Sequence, residues 1–131
     1  MIVVDASAFL AVLLNTDAGR RVAEVIWSPA TSLHAPRLLD IEVLQVLRRH
    51  VLSGAMTAER GAIGLEALGQ LDIARYGHEE LLPRIWALKQ NLSAFDAAYI
   101  ALAEALDAPL LTLDARLASA PGHQAEVRLI P

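Results

Sequence analysis

The sequence predicts an α/β fold, with a mainly parallel sheet covered by helices on both faces. Two observations carry this. Short apolar or alternating runs recur between longer segments of helical character, as in strands joined by helical crossovers. The first such run, Ile2-Val3-Val4, is β-branched and uninterrupted, as expected of a strand buried on both faces. With 131 residues and no internal repeat, low-complexity tract or linker, the chain (1–131) reads as one domain, since domains most often run to about 100–150 residues.

In chain order, the strand 2–4 stops at Asp5, and helices are predicted over 6–14 and 18–27. A short strand around 32–34 meets Pro36. A long helix over about 37–52 ends at Ser53-Gly54, a normal C-terminal signal. Residues 57–69 follow as a helix despite Gly61 and Gly64. The alternation in 71–76 (LDIARY) predicts a strand, and 79–89 a short helix with Pro83 near its opening turn. A strong helix over 93–106 ends at Asp107-Ala108-Pro109. Then come a strand at 110–113 (LLTL), a helical turn or two at 114–119, and a last strand at 127–130. Ligands of such sheets bind outside the carboxyl ends of the strands, and Asp5 and Asp114 both stand at such ends.

Composition narrows the function. The chain has no cysteine, which excludes disulfides and thiolate metal sites and agrees with a reducing cytoplasm. Its longest stretch without a charge, Val25 to Pro36, is far shorter than the roughly 18 apolar residues of a membrane span. The opening MIVVDAS has no basic segment and carries an acid at position 5, unlike a secretion signal. The hydrophobic share of 55% therefore fills a core and one or more interfaces. A net charge of −4, with Lys89 the sole lysine, argues against a general nucleic-acid coat protein. It leaves room for an enzyme whose clustered acids recruit divalent cations.

Four acids occupy unexpected places. Glu42 lies angularly between Leu38 and Val46, inside the apolar sector of its helix, where a carboxylate must be paired, metal-bound or at a cleft rim. Asp96 has Tyr99, Ile100 and Ala103 as neighbours at helical spacing, although Ser93 and Asp96 also form an S-x-x-D start resembling a capping box. Asp5 and Asp114 each follow a strand and precede a helix, where Asp is a favoured N-cap. Singly, caps and a rim contact explain them. Together, two acids at strand ends and two on apolar helix faces could converge at one sheet edge and hold Mg²⁺ or Mn²⁺. Hard cations take oxygen ligands and activate water against a phosphodiester. His34, His50, His78 and His123 are scattered without zinc-ligand spacing and read as incidental.

The segments I-V-V-D-A-S-A (2–8), A-P-R-L-L-D-I-E-V (35–43), S-A-F-D-A-A-Y-I-A-L-A-E (93–104) and P-L-L-T-L-D-A-R-L-A (109–118), in this order and spacing, resemble PIN-domain proteins. They look most like the VapC-type toxins of bacterial toxin–antitoxin pairs, and the likeness spans nearly the whole chain. It implies a three-layer α/β/α sandwich around a parallel five-stranded sheet. Asp5, Glu42, Asp96 and Asp114 match the family's four metal-ligating acids. Ser7 and Thr112 fall where such domains often place a small hydroxyl. Ser93 is a supporting candidate, and Arg116 could touch a phosphate or a partner. The resemblance further implies a cytoplasmic, metal-dependent endoribonuclease that cuts RNA with a metal-activated water. It implies a small antitoxin (VapB-type) blocking the cleft, and homodimers. Trp27 and Trp86 suit either exposed binding faces or the core.

Other readings fit less well. A phosphoacceptor receiver domain would carry an adjacent acid pair after the first strand and a lysine after a late one; here Asp5 stands alone and Lys89 lies in a helix. No G-x-G-x-x-G follows the first strand and no phosphate-binding G-x-x-x-x-G-K-[ST] occurs, which disfavours a nucleotide-binding enzyme. The remaining alternatives are a PIN nuclease with a housekeeping RNA-processing or DNA-cleaving role, and a non-catalytic module that binds metal or a partner.

Overall fold

The computed structural model describes residues 1–131. Its strands are β1 (Ile2–Val4), β2 (Leu33–Pro36), β3 (Ile73–Tyr76), β4 (Leu110–Thr112) and β5 (Val127–Leu129). They form one five-stranded sheet in the order β3-β2-β1-β4-β5, and every neighbouring pair is parallel. The helices are α1 (Ala6–Leu13), α2 (Asp17–Ile26), α3 (Leu38–Ser53), α4 (Ala58–Gln70), α5 (Leu82–Ala87), α6 (Ala94–Leu106) and α7 (Ala115–Ser119). From β1 the chain steps outward through β2 to β3, then returns to lay β4 against the other flank of β1. Parallel crossovers are right-handed, so this reversal puts α1–α4 on one face of the sheet and α5–α7 on the other. The predicted three-layer sandwich is the result. The reversal lies between β1 and β4, and it opens the crevice where parallel sheets hold ligands.

The core explains the sequence pattern. Val3, Val4, Leu110 and Leu111 are essentially inaccessible on the central strands, which is why those runs are apolar without alternation. Leu39 and Val43 of α3, and Tyr99 and Ile100 of α6, are buried in the same cluster. No helix is long and apolar enough to cross a membrane.

Side-chain caps fix where several helices begin. Thr16, Thr57 and Ser93 accept from the backbone N–H groups of Gly19, Arg60 and Asp96, each satisfying one of the orphan donors of a helix start. Gly54 ends α3 in the left-handed conformation at φ 81°, which glycine adopts without penalty. Gly19 serves closeness instead. A Cβ there would meet the Ala11 carbonyl oxygen at 2.0 Å, so α2 can lie against α1 only with hydrogen at that position.

Three boundaries differ from expectation. β2 runs through Pro36 rather than stopping at 34, because the next donor, the Arg37 N–H, reaches the Tyr76 carbonyl at 2.9 Å and continues the ladder. β3 begins at Ile73 rather than 71, because the Leu71 N–H turns back to the Leu68 carbonyl at 3.3 Å and closes α4. The segment expected as one helix over 79–89 is a 3₁₀ turn, Glu79–Leu81, followed by α5. Pro83 sits in the first turn of α5, where its missing N–H removes no helical bond.

Candidate active site

The site starts from register. Val4 lies opposite Leu111 in the β1–β4 pair, so the next residues, Asp5 just past β1 and Thr112 at the end of β4, stand side by side. Asp5 is 5% exposed and Thr112 is fully buried, and a carboxylate so placed needs partners. Asp5 Oδ1 accepts from the Ser7 hydroxyl at 2.7 Å and from the Ala8 N–H at 2.9 Å. Its Oδ2 accepts from the Thr112 hydroxyl. Both hydroxyl protons are thereby committed to Asp5. The oxygens act in turn as acceptors, Ser7 Oγ from the Leu113 N–H at 3.0 Å and Thr112 Oγ1 from the Asp114 N–H at 3.0 Å. Ser7 and Thr112 thus lock the end of β1 to the end of β4 around one carboxylate.

Asp114 follows directly. It caps α7 by accepting from the Arg116 N–H at 2.9 Å, and the Arg116 guanidinium stands 3.6 Å from its other oxygen. Asp5 likewise caps α1. The cap explanation is therefore correct for both acids, and a carboxylate has more acceptor sites than a single cap bond uses. Ser93 caps α6 by accepting from the Asp96 N–H at 3.2 Å, so its part is to set the first turn on which Asp96 rides.

Glu42 and Asp96 come from opposite layers. Glu42 on α3 is half-buried, and its Oε1 accepts from the Tyr99 hydroxyl of α6 at 2.6 Å. This bond joins the two layers beside the crevice. Tyr99 has no place among the sequence-derived candidates, where it figures only as part of an apolar helix face. The one available signal is that a buried tyrosine hydroxyl must find a partner.

The electrostatics bind the four acids into one group. Asp5 is pushed above the usual carboxylate range by burial and further by the charge of Asp96, against the opposing hydrogen bonds from Ser7, Thr112 and Ala8. Glu42 is raised by burial, and also by Asp96 and Asp5, while the Tyr99 hydrogen bond opposes the rise. Asp96 is raised by burial and then by Asp114, eased by Ser93 and Arg116. Each of these three is raised by the charge of at least one other acid. Mutual repulsion of this kind is what a bound cation relieves. No three acids or histidines already stand in a closed ligating arrangement, and the donor set is all oxygen. That suits Mg²⁺ or Mn²⁺, which commonly takes few carboxylates and completes its shell with water and substrate phosphate.

Two clefts adjoin the acids. A polar one of about 380 Å³ is lined by Asn91, Ser93, Asp96 and Arg116. An apolar one of about 450 Å³ includes Ser7, Glu42, Ile41 and Phe95. A third cavity, of about 320 Å³, lies at the far end of α6. Its Glu104 is committed to a two-pronged ion pair with Arg84 at 2.8 and 2.9 Å. His34 is held by Ser32 at 2.9 Å and Tyr76 at 2.7 Å, and His78 accepts from the Leu38 N–H at 3.2 Å.

Comparison with known proteins identifies the family and the fold. The family model described as PIN domain matches residues 2–122. The chain is 43% identical over 129 residues to Ribonuclease VapC1 of Mycobacterium tuberculosis, covering 98% of this chain and 96% of that one. It is 41% identical over 131 residues to Ribonuclease VapC9 of the same organism, covering 100% and 99%. Among solved structures, Mycobacterium tuberculosis VapC20, described as a sarcin-ricin loop cleaving toxin, superposes with a TM-score of 0.68 at 17% identity, covering 91% and 94%. VapBC2 from Rickettsia felis, bound to a DNA fragment from its promoter, gives 0.69 at 13% identity, covering 97% and 98%. Those two likenesses concern the fold.

Proposed function

Since the chain belongs to the PIN-domain family, we propose that it is a metal-dependent endoribonuclease acting as the toxin of a type II toxin–antitoxin pair. The observation that carries this reading is Asp5 at the sheet's reversal point, with Asp5, Glu42 and Asp96 each raised by the charge of another acid among Asp5, Asp96 and Asp114. The full-length match to proteins named as VapC ribonucleases favours a toxin over a housekeeping nuclease or a non-catalytic module.

Asp5, Glu42, Asp96 and Asp114 would hold Mg²⁺ or Mn²⁺. A bound divalent ion supplies an activated water and stabilises the leaving oxygen of a phosphodiester. The protein's own groups prepare that step. Ser7 and Thr112 fix the Asp5 carboxylate, and Tyr99 fixes Glu42. Arg116, the cation beside Asp114, is placed to meet a phosphate.

We extend the reading to partners and place. A VapB-type antitoxin would cover the cleft, and a homodimer would cover some of the exposed apolar residues, among which Trp27 is 56% and Trp86 70% exposed. A cysteine-free chain acting on RNA belongs in the cytoplasm. Sedimentation of the purified protein measures the dimer.

The deciding experiment is RNA cleavage by purified protein with and without Mn²⁺ or Mg²⁺, beside Asp5→Asn and Asp96→Asn. Cleavage that needs the metal and disappears in both folded variants supports the reading. Activity that survives in both, or that chelation leaves intact, overturns it.

A further inference from the structure

Phe95 and Asp96 are neighbours in the first turn of α6, yet they line different clefts. Asp96 borders the polar cleft with Arg116. Phe95 walls the apolar groove, which shares Ser7 and Glu42 with the acidic site and carries Arg49 and Gln45. Phe95 is 59% exposed and Ile41 66% exposed. Large apolar side chains held in water beside a reactive centre mark a binding surface.

Charge narrows the occupant. The chain has a net charge of −4 and a single lysine, unlike the strongly basic proteins whose non-specific nucleic-acid affinity comes from phosphate contacts. A strand held on it gains from contacts to the bases as well. Aromatic faces stack unpaired bases irrespective of sequence, and an exposed phenylalanine in a groove that also includes Ser7 and Glu42 offers such a face. Gln45 supplies an amide that can meet a base edge, and Arg49 a cation for a flanking phosphate.

Resting on the ribonuclease reading above, we propose that the groove formed by Phe95, Ile41, Gln45 and Arg49 takes one unstacked base of the RNA strand, the nucleotide adjoining the scissile phosphate. Phe95 is its stacking platform, and Arg49 meets the phosphate beyond it. The strand then crosses from the apolar groove over Asp5 and Asp96 into the polar cleft at Arg116. A paired base cannot enter without first leaving its stack, which favours cutting at loops.

The test is a cycle of protein and substrate changes. Wild type, Phe95→Ala and Phe95→Trp are assayed in Mn²⁺ on an oligoribonucleotide with its natural base, or an abasic ribose, beside the cut. Phe95→Ala should lower kcat/KM by roughly 10- to 100-fold, as expected for one lost stack, and Phe95→Trp should restore most of it. The abasic substrate should penalise wild type equally and add nothing to Phe95→Ala. Equal cleavage by wild type and Phe95→Ala, or losses that multiply, overturns the subsite. So does unchanged cleavage with only capture by a protein partner lost, which would assign the groove to that partner. Quenching of 2-aminopurine in the same oligonucleotide reads stacking without chemistry. Phe95-dependent quenching without cleavage in any metal supports the subsite and removes the ribonuclease reading; absence of both removes the two together.

Discussion

The Tyr99 hydroxyl donates to Glu42 Oε1 at 2.6 Å, and this bond links α6 to α3 across 57 positions of sequence. Burial and the adjoining Glu42 charge hold the Tyr99 proton in place well beyond the ordinary range, so the hydroxyl is a permanent donor. Its bond favours ionised Glu42 against burial. Removing it in Tyr99→Phe should raise the Glu42 pKa, so the acid limb of the kcat/KM profile moves to higher pH. Hydrogen bonds to charged groups are worth about 1.5–3 kcal/mol, which corresponds to a fall of at least about 10-fold at the acid end. A profile of unchanged shape would mean that Glu42 takes no part in the step.

Thr112 carries two duties with one atom. It donates to Asp5 and accepts from the Asp114 N–H at 3.0 Å, all without exposure to water. Thr112→Val keeps the shape and loses both bonds, leaving a buried carboxylate oxygen and an amide short of partners. A destabilisation of about 1–3 kcal/mol is expected, read by urea unfolding, with activity lost beyond what unfolding explains. Thr112→Ser keeps both bonds and should retain most activity. If valine and serine behave alike, packing rather than the hydrogen bonds is what the position requires.

Much of this arrangement is legible in the sequence because local rules and the fold agree. The β-branched run at 2–4 and the acid after it became β1 and the cap of α1, and the carboxylate of Glu42, out of place on an apolar helix face, feels the charges of Asp96 and Asp5. Contacts between distant segments were not legible. Nothing near Tyr99 in sequence names Glu42, and nothing near Ser7 names Leu113; both depend on the strand order. Nor could composition decide the tryptophans, since an amphipathic ring suits a core or an interface equally. They are exposed, and Lys89 lies 4.7 Å over the Trp86 ring. The late start of β3 was hidden for another reason: LDIARY alternates from its first residue, but the Leu71 N–H bonds back to Leu68 and caps α4, and alternation does not say which of two adjoining elements claims a boundary residue.

Gly19 offers a test of the fold apart from the site. Alanine is ordinarily favoured over glycine inside a helix by about 1 kcal/mol. At this position its Cβ would run into the backbone of Ala11 at 2.0 Å, and backbone cannot rotate aside. Gly19→Ala should therefore lower stability, by about 1–3 kcal/mol as for other overpacked sites, and part α2 from α1. The expected result is a lower thermal midpoint with cleavage retained at low temperature. A rise in the midpoint would mean that α1 and α2 shift freely.

The raised acids make a prediction about stability without metal. Burial and then the charge of Asp114 push Asp96 above the ordinary carboxylate range. A carboxylate raised in the folded state favours folding when protonated: its contribution is fully present below the unfolded value and is lost as pH rises through the folded one. At pH 8 without divalent ions, Asp96 therefore opposes folding, and Asp96→Asn should have a higher thermal midpoint than wild type. Towards pH 4 the two should converge, because wild-type Asp96 then takes its proton. The difference between variants is the useful readout, since other groups titrate oppositely. Glu104, held down by Arg84, and His34, lowered by burial, both remove stability as pH falls. Adding Mn²⁺ at pH 8 should raise the wild-type midpoint and leave Asp96→Asn nearly unmoved, reversing their order, because a ligand stabilises only the state that binds it. An Asp96→Asn protein less stable than wild type at pH 8 without metal would mean that the carboxylate is held by the fold itself and is not waiting for a cation.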